Sequence, residues 1–165
     1  MKDKKSQRQE QFLEIADRYK EVIAKVCSVY ASPSMPFSDL YQEVMVNLWT
    51  GLDTFRGDSR MSTWIYRIAL NTCLSCYRHA GKFSRNMVNL DTGIDIPDTD
   101  TGNSEEIREL YAMIGRLDLI DRALITLWLD EKSYEEISAI MGIGKSNVAT
   151  RLFRIKQKLT KMAAQ

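Results

Sequence analysis

Residues 133–159 read SYEEISAIMGIGKSNVATRLFRIKQKL, and this stretch restricts the fold more than any other. Apolar residues recur at helical spacing over 134–141, stop at Gly142, and resume in a longer run from about Ser146. A glycine between two such runs allows the sharp turn of a helix-turn-helix. Ile137, Met141, Ile143 and Val148 can fill the corner, and the small Ser138 lets the two helices cross closely. Val148, Leu152, Ile155 and Leu159 continue the inward stripe. The opposite face keeps Lys145, Ser146, Asn147, Thr150, Arg151 and Arg154, short polar groups and cations near a helix start. Helices of this kind meet base edges and phosphates with such residues, so double-stranded DNA is the expected ligand. The plainer account of the same residues is a solvated basic face on a packing hairpin.

The remaining chain is also helical in pattern. Phe12, Ala16, Tyr19, Ile23, Val26 and Tyr30 recur every three or four positions, which predicts one helix over 9–31, ended by Pro33 and Pro36. Ser38 is a candidate cap for a second helix carrying the stripe Leu40, Val44, Leu48 and Leu52. The pattern breaks over 53–60 around Gly57. A third helix follows, with Ser62 a candidate cap, an expected buried face of Met61, Ile65, Ile68, Thr72 and Cys76, and Gly81 as its stop. Residues 82–104 have little periodicity and include LDTGIDIPDTDTGNS, the composition of a flexible linker. Beyond it, helices are expected over 105–117 and 119–130, before the helix-turn-helix. No strand-length alternation or repeat appears. The expected fold is therefore all-α, with two small helical domains, 1–81 and 105–165, joined by the linker 82–104.

The net charge of +1 hides a strong segregation. Residues 1–50 are neutral, 51–90 carry +4, 91–104 carry −4, 105–141 carry −5, and 142–165 carry +6 with no acid. Two basic zones thus flank an acidic middle. No apolar run reaches the ~20 residues of a membrane span, and no leader pattern is present, so a cytoplasmic protein without membrane insertion is expected. Three cysteines do not make a disulfide scaffold. Cys73, Cys76 and His79 form a C-x-x-C-x-x-H run, but three ligands on one helix fall short of a zinc site, and small buried or half-buried thiols are the simpler reading. His79 is the only histidine, and no nucleophile, phosphate-cradling loop or carboxylate pair stands out. Neither an enzyme, a cofactor nor a small-molecule substrate is expected.

The third helix has a second face on which Arg60, Thr63, Trp64, Arg67, Asn71, Ser75 and Arg78 recur. Cations follow a nucleic-acid backbone, an aromatic ring stacks on an unpaired base, and Asn reads a base edge, so this face suits single-stranded DNA. Trp64 taken alone is more readily explained as a core residue than as a stacking platform. Taken together, DLYQEVMVNLW (39–49), LDTFRGDSRMSTWIYRIALN (52–71) and SYEEISAIMGIGKSNVATRLFR (133–154) closely resemble bacterial sigma factors of the extracytoplasmic-function type. Members of that subgroup are similar in keeping only region 2 and region 4, joined by a short linker, and the resemblance runs nearly end to end.

The resemblance implies a role for each matched position. Asp39, Gln42 and Glu43 correspond to the helix that docks on core RNA polymerase. Phe55, Arg56, Gly57, Asp58 and Ser59 correspond to the loop that captures a flipped base of the minus-10 element, and Trp64, Arg67 and Asn71 to the adjoining melting helix. The recognition helix for the minus-35 duplex would span 145–158, with Lys145, Ser146, Asn147, Thr150, Arg151, Arg154 and Lys158 as its DNA-facing residues. Ala149 departs from the pattern, standing where many members carry an arginine two positions before Arg151. The resemblance also implies promoter DNA as ligand, transcription initiation as function, and an anti-sigma factor as partner.

Overall fold

The computed structural model describes residues 3–81 and 105–165; the linker expectation for 82–104 lies outside them. Eight α-helices and one 3-10 turn make up the described residues: α1 (Lys4–Arg18), α2 (Lys20–Tyr30), α3 (Phe37–Gly51), the turn Leu52–Thr54, α4 (Met61–Gly81), α5 (Glu105–Ile114), α6 (Leu119–Leu129), α7 (Tyr134–Met141) and α8 (Lys145–Ala163). The fold is all-α, with a helical domain at each end of the chain.

The single helix expected over 9–31 is two helices that meet at Tyr19, whose backbone leaves the helical region at φ −108° and ψ 13°. The apolar spacing survives because hydrogen bonding continues across the bend, with Tyr19 N–H to the Ile15 carbonyl and Ile23 N–H to the Tyr19 carbonyl, both 3.0 Å. Spacing reports the buried face and not the straightness of the axis, so the bend leaves no periodic signature. Its effect is to lay α1 on α3. Phe12 meets Trp49 edge-on at 5.3 Å, and the Arg8 guanidinium sits 4.4 Å over the Trp49 ring while donating to the Trp49 carbonyl at 2.7 Å.

Two expected caps shift as well. Pro36, not Ser38, precedes α3, and its carbonyl accepts the first helical bonds from Asp39 and Leu40 at 3.1 and 3.2 Å. Proline's fixed φ suits a helix entry, where its missing N–H costs nothing. Ser62 lies inside α4, since Arg60 supplies the first carbonyl, accepting from Trp64 N–H at 3.2 Å.

The buried surface of α4 is wider than one stripe. Ile65 and Thr72 are buried as expected, but so are Tyr66, Ala69, Leu70, Cys73 and Leu74, while Met61, Ile68 and Cys76 are only half-buried. The cause is a multiple packing: α4 lies against α2 and α3 and also against α7. Cys73 is buried beside Cys27, and the hydrogen bond between the two thiols, followed by desolvation, pushes the Cys73 thiol well above its ordinary pKa. It is a core group, with little thiolate for reaction.

Candidate nucleic-acid interface

The helix-turn-helix is built by local signals that agree with one another. Ser133 caps α7: its hydroxyl accepts from Glu136 N–H at 3.1 Å, and the Glu136 carboxylate accepts from Ser133 N–H at 2.8 Å, a complete capping box. That backbone hydrogen bond is the main reason Glu136 is held below the ordinary glutamate range. At the other end Gly142 has φ 70°, a left-handed conformation that L side chains adopt at a cost, and it ends the helix with its N–H on the Ser138 carbonyl at 2.9 Å. The Ser138 hydroxyl donates to the Ile143 carbonyl, so this side chain ties the turn down as well as leaving room for the crossing. Ile137, Val148, Leu152 and Ile155 are fully or almost fully buried, which fixes the rotation of α8 about its own axis.

That rotation divides the expected duplex-facing residues. Ser146, Asn147, Thr150 and Arg154 lie on the exposed outer face of α8. Arg151 and Lys158 instead lean along one flank toward Asp121 of α6, at 3.7 and 3.9 Å. Burial and the neighbouring Asp118 push the Asp121 carboxyl up, and these two cations pull it back only in part. Lys145 reaches Glu135 at 3.1 Å. Phe153, which the sequence reading passed over, is the most exposed large hydrophobic side chain among the described residues, at 64%. It shares the outer face with Thr150 and Arg154. Its signal was available: a phenyl ring off the Val148–Leu152–Ile155 stripe has no core to enter. Gly144 precedes α8 without a side-chain cap bond, so the first amide groups of that helix point outward uncapped.

A second constellation lies at the start of α4. The Phe55 and Trp64 rings stack at 5.1 Å between centroids with their planes tilted by 45°. Both are half-buried, so Trp64 serves the core and keeps an accessible edge. Arg56, Gly57 and Asp58 are exposed and Ser59 half-exposed, on a loop that Gly57 turns at φ 77°. Asn71 is exposed two turns along α4 from Trp64. Arg67, between them, is directed elsewhere: its guanidinium donates through Nε to the Ala139 carbonyl of α7 at 3.1 Å.

On α3, Asp39, Gln42 and Glu43 are all exposed on one face, set by burial of Leu40, Val44 and Leu48 on the other. Val46 belongs to the same outer face and is 54% exposed. Among the described residues no three His, Cys, Asp or Glu side chains converge to hold a metal ion, and no helix is long and apolar enough to cross a membrane.

The family model for sigma-70 region 2 matches residues 15–83, and that for sigma-70 region 4 matches residues 107–159. The chain is 34% identical over 155 residues to the ECF RNA polymerase sigma-E factor of Escherichia coli K12, covering 86% of this chain and 81% of that one. To the sigma-E factor of Haemophilus influenzae it is 29% identical over 158 residues, covering 88% and 83%. Two solved structures share the fold. The sigma factor RpoE of Bartonella quintana, solved with the anti-sigma factor NepR, superposes with a TM-score of 0.75 at 19% identity, covering 94% of this chain and 96% of that one. CnrH, solved with the cytosolic domain of CnrY, superposes with a TM-score of 0.68 at 23% identity, covering 94% and 89%.

Proposed function

The chain belongs to the extracytoplasmic-function sigma factors, which direct RNA polymerase to promoters, and from that membership we propose how its residues divide the work. Residues 105–165 hold the minus-35 duplex, residues 1–81 bind core polymerase and capture the melted minus-10 strand, and 82–104 join the two. Polymerase forms the phosphodiester bonds; this chain supplies recognition, in the cytoplasm where polymerase works.

The observation that carries this reading is the outer face of α8. Its uncapped first amides and Lys145 suit a phosphate, because a helix start combines free N–H donors with the positive end of the dipole. Ser146, Asn147 and Thr150 present short donors and acceptors for base edges, and Arg154 a cation free of the α6 acids. Phe153 replaces hydrogen-bond reading with apolar contact, the kind that recognises a thymine methyl. With Ala149 also in this helix, the minus-35 preference leans on methyl contacts more than on paired arginines.

At the other end, the Phe55–Trp64 pair walls the exposed 56–59 loop. A flipped base costs a few kcal/mol of unstacking, and aromatic stacking of about 1–3 kcal/mol per base together with phosphate contacts offsets it. Strand capture by Phe55, Arg56, Gly57, Asp58, Ser59, Trp64, Arg67 and Asn71 thereby drives melting. Asp39, Gln42 and Glu43, with Val46 among them as an apolar centre, form the polymerase-docking face of α3. An anti-sigma factor, the kind of partner in the RpoE–NepR complex, regulates it by covering these faces.

Run-off transcription with sigma-free core polymerase on a promoter library tests the reading. Promoter-specific transcripts that appear only with this chain are expected. Tight core binding without any specific transcript would overturn the division of labour, and absence of core binding would point to a conventional helix-turn-helix regulator.

A further inference from the structure

We propose that Arg8 is a positioning residue for strand capture: from α1 it clamps the end of α3 to the 3-10 turn that follows, and so fixes where Phe55 leaves to meet Trp64. The inference rests on the strand-capture role assigned above to residues 55–59. The sigma-70 region 2 match begins at residue 15, so Arg8 and Phe12 stand ahead of it. One terminal nitrogen of the Arg8 guanidinium donates to the Trp49 carbonyl at 2.7 Å and lies 3.3 Å from the Asp53 carboxylate. The same guanidinium covers the Trp49 ring at 4.4 Å, and Phe12 meets that ring edge-on. Trp49 belongs to the last turn of α3 and Asp53 to the 3-10 turn, so one side chain ties the helix end to the segment beyond it. An arginine suits this seat because its planar fork can donate and stack at once, which a lysine ammonium cannot do.

Two observations set this contact apart from an ordinary surface ion pair. Among the described residues, the Arg8 Nε is the one buried side-chain polar atom without a hydrogen-bond partner. A buried donor left unpaired is a cost, so stability alone does not account for an arginine held here. The second observation is what the clamp adjoins. Leu52 is buried, and the Thr54 hydroxyl donates to the Gly51 carbonyl at 2.6 Å, which ties the short turn together. Phe55 follows immediately and stacks on Trp64 at 5.1 Å. Gly51, before the turn, faces the same indole: a Cβ added there would meet the Trp64 ring at 3.7 Å. The 51–55 segment therefore touches Trp64 at both of its ends, and a shift of the turn against α4 would change the wall that receives a flipped base. Arg8 is the contact from α1 that opposes such a shift. Asp39, Gln42 and Glu43 lie in the first half of α3, away from the clamp, so docking on polymerase does not depend on it.

The test uses holoenzyme reconstituted from core polymerase and the full chain, as wild type, Arg8→Ala or Asp53→Asn. Fluorescence anisotropy measures affinity for a labelled minus-10 single strand of a selected promoter, in which an abasic spacer is scanned position by position. At the flipped position the spacer should cost the wild type at least tenfold, the scale of one lost base stack, and Arg8→Ala less than threefold. On the intact strand Arg8→Ala should bind at least fivefold weaker than wild type, with core-polymerase affinity within twofold. Asp53→Asn changes a carboxylate that is 70% exposed, a substitution the fold tolerates, and should lose at least half of the wild-type sensitivity to the spacer; it decides the question should Arg8→Ala unfold on circular dichroism. Full wild-type sensitivity in folded Arg8→Ala overturns the positioning role alone. Core affinity that falls in step with strand affinity also overturns it, since that marks a general weakening of residues 1–81. A wild type indifferent to the spacer at every position defeats the strand-capture reading and the clamp with it.

Discussion

Phe153 and Leu152 are neighbours in sequence with opposite surroundings, and truncating each to alanine separates recognition from stability. Leu152 is fully buried where α8 crosses α7, and Phe153 is 64% exposed on the outer face. Leu152→Ala removes a core side chain and leaves a cavity, at a cost of about 2–5 kcal/mol. For a domain of this size that lowers Tm by roughly 10 °C or more, at about 4–8 °C per kcal/mol. Phe153→Ala removes a side chain that the fold hardly uses, so stability changes by no more than about 0.5 kcal/mol. Its effect lies in binding. Of the roughly 200 Å² a phenylalanine can bury, about 130 Å² is open in the free protein, and covering half of that against a base edge contributes about 1.6 kcal/mol at about 25 cal/mol per Å². The predicted loss of holoenzyme affinity for promoter duplex is therefore about 15-fold. Fluorescence anisotropy on the selected promoter measures it, and replacing minus-35 thymines by deoxyuridine, which lacks only the methyl, should reproduce most of the loss in the wild type and add little in the variant. Wild-type affinity in Phe153→Ala, or full additivity with the deoxyuridine substitutions, would refute the methyl-contact argument.

Arg154→Ala removes a cation on the outer face of α8 without disturbing the α6 pairs, so the log-log salt dependence of promoter binding should become shallower by about 0.9, as read from titrations at several salt concentrations. Ser133→Ala breaks the capping box and should cost about 1 kcal/mol, seen as a Tm lowered by about 4–8 °C. Because the native fold holds the Glu136 carboxylate below its ordinary value of 4.5, this cap contributes fully above that pH and loses its contribution as pH falls through the lower folded value; Glu136→Gln should flatten that acid-side loss in thermal melts. Val46→Asp places an unpaired carboxylate at the centre of the α3 face while leaving Tm within a few degrees, and should weaken core-polymerase binding by about tenfold or more in a pull-down titration.

The helix-turn-helix was legible almost to the residue because its signals are local: Gly142 at the turn, the small Ser138, and the Val148–Leu152–Ile155 stripe; the Ser133–Glu136 capping box emerges only in the structure. The break at Tyr19 was not, because it keeps both the hydrogen bonds and the apolar period of a continuous helix. The breadth of α4's buried surface was hidden for a different reason. Besides α2 and α3, α4 meets α7, some seventy positions away, and a window of periodicity carries no information about which other helix will arrive. The same limit applies to the candidate sites. The sequence places Arg67 on the polar face of α4 and Arg151 on the outer part of α8, but only the packed structure sends the first to Ala139 and the second toward Asp121. Phe153 runs against composition, since an aromatic in an amphipathic helix ordinarily turns inward and this one is exposed.

The central claim is that one end of this chain anchors duplex while the other captures a melted strand. Permanganate reactivity of thymines, mapped on a selected promoter with core polymerase and either the wild-type chain or Trp64→Ala, tests it most directly. The account predicts that wild-type holoenzyme makes a short block of minus-10 thymines reactive, and that Trp64→Ala abolishes this reactivity while nuclease protection over minus-35 persists. Equal minus-10 reactivity with Trp64→Ala, or loss of both signals together in a variant that remains folded and bound to core, would contradict it.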